Sequence, residues 1–251
     1  MKIVAIPFSG GSLGKNIGCE EGPGRVLDLL KNISLNENGS NLVYDVTELK
    51  FNGDFDKLQE EISNVEGDIF LGGDHSITYG AVKGLKGEKG LLIFDAHPDL
   101  EVGTKSISHE DYLRRLIEDK IIDRDKIVLV GIRNWSKNEK EFLQENKIKC
   151  FNMKQIFEYG AKNVCESVME IVQSFDKLYL SIDIDVVDPA NAPGTGYLES
   201  GGLTSRELLY FLQRLKQVKN LRRVDLVEIN PRKDFNNKTV LLGAKILSEI
   251  I

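Results

Sequence analysis

A chain of 251 residues, 41% hydrophobic and 29% charged, can bury a substantial core and has the balance of an ordinary soluble globular protein. Its net charge of −6 argues against nucleic acid and is compatible with a small cationic ligand. Apolar runs such as Leu91–Phe94 are far too short to span a bilayer, so no membrane partner is expected.

The first residues, Met1 to Pro7, read as a strand and lack the length and cleavage site of a signal peptide. Further strands are expected near 42–46, 68–72, 91–95, 126–132, 148–152, 178–183 and 223–228, after a first at 2–7. Most are nearly continuous in Val, Ile, Leu, Phe and Tyr, the composition of strands covered on both faces. Ser136-Lys137-Asn138-Glu139 and Thr204-Ser205-Arg206-Glu207 have the form of capping boxes that start helices. Val164, Val168, Ile171, Val172 and Phe175 share one helical face, as do Leu208, Leu209, Leu212 and Leu215. A last helix is expected over 238–250. Alternation of this kind predicts an α/β fold: a parallel sheet with helices on both faces. No linker, repeat or low-complexity segment divides the chain, so one domain is expected over 1–251. Cys19, Cys150 and Cys165 are odd in number and widely spaced, which points to reduced thiols and a cytoplasmic protein.

All three histidines stand beside carboxylates: Gly72-Gly73-Asp74-His75-Ser76, Asp95-Ala96-His97-Pro98-Asp99 and Ser108-His109-Glu110. Ser181-Ile182-Asp183-Ile184-Asp185 adds two more acids. Asp95, His97 and Asp99 are spaced i, i+2, i+4, which in extended backbone points them to one side; Asp183 and Asp185 repeat the spacing. Each motif alone reads equally well as a helix cap or a satisfied polar residue. Together they would crowd unpaired charge unless cations offset it. His75, Asp95, His97, Asp99, Asp183 and Asp185 are therefore candidate metal ligands. Hard carboxylates with two imidazoles and no thiolate suit two Mn²⁺ ions better than structural zinc. Asp95 and Asp183 open their motifs at strand ends and are the candidates to bridge. A paired-metal site makes hydroxide from water at neutral pH, which predicts a hydrolase. Gly72, Asp95, Asp183 and Glu228 all fall at the carboxyl ends of expected strands, the edge where open α/β sheets bind ligands.

These four motifs, with Ala192-Pro193-Gly194-Thr195-Gly196 and Gly201-Gly202-Leu203, resemble the ureohydrolase family of arginases, agmatinases and formiminoglutamases. The resemblance runs in order from about residue 2 to the C-terminus. It implies a three-layer α/β/α sandwich with an eight-stranded, mostly parallel sheet. It also implies two Mn²⁺ ions, hydrolysis of guanidino compounds, and a homo-oligomer, a trimer or hexamer. By the resemblance, His75 and Asp99 complete one metal, His97 and Asp185 the other, and Asp95 and Asp183 bridge. The chain departs from the pattern in being shorter, in Pro98 for the usual Thr, in Glu110 for the Gly after the loop histidine, and in Tyr197-Leu198 for a Thr-Pro pair. None of these removes a ligand; the last two alter the pocket.

His109 matches the family's loop histidine and is the candidate proton shuttle, since imidazole titrates in the useful range. A helix-start histidine behind an N-capping Ser108 is the plainer alternative. Glu228, ending the last strand, matches the guanidinium-binding Glu and can clamp a guanidinium bidentately. A surface Glu paired with Arg222, Arg223 or Arg232 is the alternative. Asp188 before Pro189 reads as a loop-stabilising acceptor. Glu101 stands where arginases place an Asn; a carboxylate there repels an α-carboxylate and accepts an ammonium, although solvation explains it equally well. Trp135 suits either stacking on a cation or packing. The expected substrate is a small cationic guanidino compound, agmatine or a similar guanidinoalkyl amine, in a loop as short as in agmatinases. Arginase or formiminoglutamase activity, a single-zinc deacetylase-like hydrolase and a non-catalytic metal-binding scaffold are the competing readings.

Overall fold

The computed structural model describes residues 1–51, 53–103 and 105–251. Eight strands form one sheet: β1 Lys2–Ile6, β2 Asp45–Glu48, β3 Ile69–Gly72, β4 Gly90–Phe94, β5 Ile127–Val130, β6 Lys149–Phe151, β7 Leu178–Asp183 and β8 Leu221–Val227. Every pairing is parallel, in the order β2-β1-β3-β8-β7-β4-β5-β6. The helices are α1 Gly22–Leu30, α2 Phe55–Asn64, α3 Ile77–Gly84, α4 Tyr112–Glu118, α5 Lys137–Glu145, α6 Met153–Tyr159, α7 Ala161–Val172, α8 Ser205–Leu215 and α9 Lys238–Ile250.

Strand side chains alternate between two apolar clusters. Ile69, Leu71, Leu92, Phe94, Leu180 and Leu226 face one, with residues of α1, α7, α8 and α9. Phe70, Leu91, Ile93, Tyr179 and Val227 face the other, with residues of α2, α3 and α4. The period of two along each strand thus sorts one sheet into three layers, as expected. Both anticipated capping boxes are formed, at Ser136–Glu139 and Thr204–Glu207, and a third starts α6 at Asn152–Gln155.

Two elements differ from expectation. The second strand occupies Asp45–Glu48, all exposed, and not 42–46. Leu42 and Tyr44, which made the segment look apolar, pack against the core ahead of the strand. The strand exists because Lys2 to Ala5 pair with it at the sheet edge. α7 ends at Val172, so Phe175 reaches the core from beyond the helix.

The chain order positions the site. β1, β2 and β3 build one flank, β4, β5 and β6 the other, and β7 and β8 return to fill the middle. β3, β8, β7 and β4 are consecutive neighbours, with Leu71 level with Leu226, Ile182 with both Leu226 and Phe94, and Asp183 with Val227. Their carboxyl ends therefore open side by side at the point where strand order reverses, where α/β sheets form crevices.

Candidate active site

Each of those four central strands delivers motif residues to the crevice. After β3 the chain passes so close to the neighbouring loop that a Cβ on Gly73 would lie 1.8 Å from the Phe8 carbonyl oxygen. Hydrogen bonds from Gly73 N to Ile6 O, Asp74 N to Phe8 O and Glu228 N to Gly73 O fix this turn. It carries His75 beneath the ends of β4 and β7. There Nδ1 of His75 lies 3.1 Å from Asp95 Oδ2, 3.2 Å from Asp99 Oδ2 and 3.2 Å from Asp183 Oδ2. Nδ1 of His97 lies 3.5 Å from Asp95 Oδ1 and 3.1 Å from Asp185 Oδ2. Asp95 thus offers one oxygen to each imidazole. Asp183 Oδ1 accepts the Asp185 amide. The structure brings all six expected ligands together: His75, Asp95 and Asp99, and Asp95, His97 and Asp185, form two adjoining groups that could each hold a metal ion, and Asp183 lies against His75.

The donor chemistry fits cations. His75 Nδ1 and Asp95 Oδ2 are buried and make no hydrogen bond. Nε2 of His75 lies 2.8 Å from Ser181 Oγ, whose hydroxyl donates to Asp225 Oδ1. Tyr112 Oη also meets Nε2, at 3.0 Å, so that nitrogen is engaged by two hydroxyls while Nδ1 faces the carboxylates. Asp225 also accepts from Thr78 and Tyr179, so this support is itself anchored. Burial pushes Asp99, Asp183 and Asp185 upward, reinforced by neighbouring carboxylates. Burial opposes charge on both imidazoles, yet Tyr112 and the facing acids hold His75, and Asp185 and Asp95 hold His97, above the ordinary value. Asp95, between the two imidazoles, is held low in spite of burial. A cluster with these opposed shifts is short of positive charge, and divalent cations supply it.

Above these groups opens a cavity of about 300 Å³, lined by His97, Asp99, Glu101, His109, Glu110, Asn134, Trp135, Glu139, Asp183, Asp185, Tyr197 and Glu228 among others. Among the described residues no Lys or Arg lines it. Glu228 is not a surface acid. It is 4% exposed, and Arg223 and Arg232 bond elsewhere, to Ala81 O and Glu21. Its Oε1 accepts from His75 N at 2.6 Å and meets His109 Nδ1 at 3.2 Å; its Oε2 accepts from Asn16 Nδ2 at 2.6 Å. These partners hold the carboxylate low although burial opposes charge. His109 is 5% exposed; burial would lower it, but Glu228, with Asp99 and Asp74, raises it to about 9. Ser108 does not cap α4: Asp111 occupies that position, and both the amide and hydroxyl of Ser108 donate to it. Asp188 accepts from Ala190, Gly201 and Gly202, a loop-stabilising role. Trp135 is half-buried, with Lys140 Nζ 5.9 Å from its ring centre.

Glu110, Tyr197 and Leu198 stood in the sequence only as departures that alter the pocket, and Asn16 and Asp225 were not singled out. Tyr197 donates to Glu110 at 2.6 Å across the pocket and stacks on His109 at 5.9 Å between ring centres. Leu198 beside it is 58% exposed. Asn16 lies in a loop with no motif around it. Asp225 did carry a signal: an acid inside a strand whose neighbours are apolar needs buried partners.

The family model described as Arginase family matches residues 1–251. The chain belongs to the arginase family. It is 38% identical over 205 residues to an arginase of Staphylococcus aureus (strain MRSA252), covering 73% of this chain and 68% of that protein. It is 30% identical to a guanidinopropionase of Pseudomonas aeruginosa, covering 99% of this chain and 85% of that one. The crystal structure of formimidoylglutamase from Bacillus subtilis superimposes with a TM-score of 0.90 at 26% identity, over 99% of this chain and 85% of that one. The ureohydrolase resemblance and the eight-stranded parallel α/β architecture expected from the motifs are thus both found.

Proposed function

We propose that this member of the arginase family hydrolyses a guanidinoalkyl amine such as agmatine to urea and an amine, using two Mn²⁺ ions. The observation that carries the reading is the pair of ligand groups joined through Asp95 at the floor of a pocket rich in carboxylates and, among the described residues, without Lys or Arg. His75 and Asp99 would hold one ion and His97 and Asp185 the other, with Asp95 and Asp183 shared between them. Two ions so held make hydroxide available from water at neutral pH.

Glu228 binds the guanidinium. A carboxylate offers about four acceptor positions, and His75 N, Asn16 and His109 occupy three of them in this state. A bidentate clamp therefore requires His109 to yield its place, so the substrate replaces one cation by another. His109, released toward the pocket, holds the proton that the departing amine needs, at Nε2. That nitrogen is buried and makes no hydrogen bond, while Glu110 Oε1 lies 3.8 Å away. Glu101 and Glu110 make the outer pocket acidic, which suits a substrate whose far end is an ammonium.

Similarity to an arginase and to a guanidinopropionase favours a second reading, in which the far end of the substrate carries a carboxylate. Release of urea from agmatine, arginine, 3-guanidinopropionate and 4-guanidinobutyrate, with formamide release from formiminoglutamate, separates the two. Metal analysis of the same preparation tests the centre. Preference for agmatine with about two Mn²⁺ per chain is the expected result. Preference for a carboxylate-bearing substrate overturns the substrate reading, and a fully active metal-free protein overturns the whole.

A further inference from the structure

The capping box at the start of α5 does more than start a helix. Glu139, its acidic member, is 6% exposed and is the one buried residue of α5. Its Oε2 accepts the Ser136 amide at 2.8 Å, as a capping box requires. Its Oε1 turns the other way and accepts the Leu100 amide at 3.1 Å, 39 residues distant in sequence. Leu100 directly follows Asp99, which has φ 53°, the left-handed region that side-chain-bearing residues rarely adopt. From that conformation Asp99 Oδ2 comes within 3.2 Å of His75 Nδ1. An unfavourable backbone conformation persists only where its surroundings over-determine it. Here the Leu100 side chain is fully buried, the Glu101 amide donates to Glu110 O, and the Leu100 amide is held by Glu139.

We propose that Glu139 is a positioning residue for Asp99: one carboxylate caps α5 and clamps the Leu100 amide, fixing the left-handed turn that aims Asp99 at His75. The inference rests on Asp99 being a metal ligand, as assigned above. Glu139 reaches Asp99 through the backbone of the turn, by way of the Leu100 amide, and its carboxylate also lies in the field of His97 at the pocket wall. The two oxygens have separate tasks, so capping and positioning can be separated. Ser136→Ala removes the hydroxyl that accepts the Glu139 amide at 3.2 Å and leaves the Leu100 contact in place. Glu139→Gln keeps the shape, but its amide group can accept only one of the two N–H donors and turns its own donors on the other.

The experiment is titration of the metal-free wild-type chain, E139Q, E139A and S136A with Mn²⁺ alone. It is read by calorimetry and by the electron paramagnetic resonance signal of free Mn²⁺, with thermal unfolding in parallel. Wild type should bind two ions. E139Q and E139A should keep one binding step and weaken the other by roughly 10–100-fold, the usual range for partners that orient a ligand. S136A should lower the unfolding midpoint while retaining both steps. Two unaltered steps in E139Q, or the same single lost step in S136A, would overturn the positioning role while leaving the metal centre standing. A wild-type chain that binds no Mn²⁺ would overturn the metal centre, and the positioning role with it.

Discussion

Glu228 Oε1 lies 3.2 Å from His109 Nδ1 and is the largest of the influences, with Asp99 and Asp74, that favour a charged imidazole. Burial alone would depress it; these acids raise it from 6.5 to about 9. A group raised on folding contributes stability that is complete below its unfolded value and is lost as pH rises through the folded one. In the metal-free protein the His109 contribution should therefore be full below about pH 6.5 and disappear through pH 9. An NMR titration of that protein should place the His109 midpoint near 9, and Glu228→Gln should bring it down; an unchanged midpoint would show that Glu228 is not the cause. In the loaded enzyme His109→Asn should keep both metals and lower kcat by roughly 10²–10⁴-fold, the scale of general acid–base catalysis. Full turnover at full metal occupancy would remove the shuttle role. Asp183→Ala should act differently, because it deletes the carboxylate facing His75 and also the acceptor of the Asp185 amide. Bound Mn²⁺, measured by elemental analysis, should fall along with activity.

At the scale of elements, the strand ends matter more than the strands. β3 is a short apolar run that any parallel sheet could use, and β8 is a longer strand with Arg222, Arg223 and Asp225 among its apolar residues. The residues just beyond them are particular: Gly73 packs on the Phe8 carbonyl, and Glu228 sits at φ 66°, a second site residue in the left-handed region. Gly73→Ala places a methyl group against backbone that cannot turn aside. It should cost about 1–3 kcal/mol or more, as overpacking does, and should displace His75 and Glu228 together, since the Glu228 amide donates to Gly73 O. Chemical denaturation and Mn²⁺ affinity measured on the same variant check both halves; a stable variant with normal affinity would show that the turn adapts. The β2 segment carries the opposite lesson. Its strand forms on exposed, polar Asp45–Glu48 because β1 presents an unpaired edge, so the apolar residues at 42 and 44 misplace it when read alone.

At the scale of the whole molecule, the arrangement of strands concentrates negative charge at one edge of the sheet and lines the cavity with acids from several loops. Glu101→Asn should lower the ratio of kcat/KM for agmatine over arginine, because repulsion of an α-carboxylate is relieved while attraction for an ammonium is lost. A ratio untouched by the change would show that Glu101 is merely solvated. Among the described residues no helix is long and apolar enough to cross a membrane. The sequence alone determined a good deal: apolar runs marked the strands, two capping boxes marked two helix starts, and motif spacing marked the six acids and imidazoles that converge. Those signals are local, because strand periodicity, helix capping and i, i+2 ligand spacing are written within a few consecutive residues. Only the tertiary structure decided which distant groups meet. Asn16 on Glu228, Tyr197 on Glu110, Ser181 and Asp225 behind His75, and Glu139 on Leu100 are contacts across 212, 87, 106, 44 and 39 residues. No periodicity encodes such pairs. They arise from which strands become neighbours, a choice set by the burial of the entire sheet between its two layers of helices.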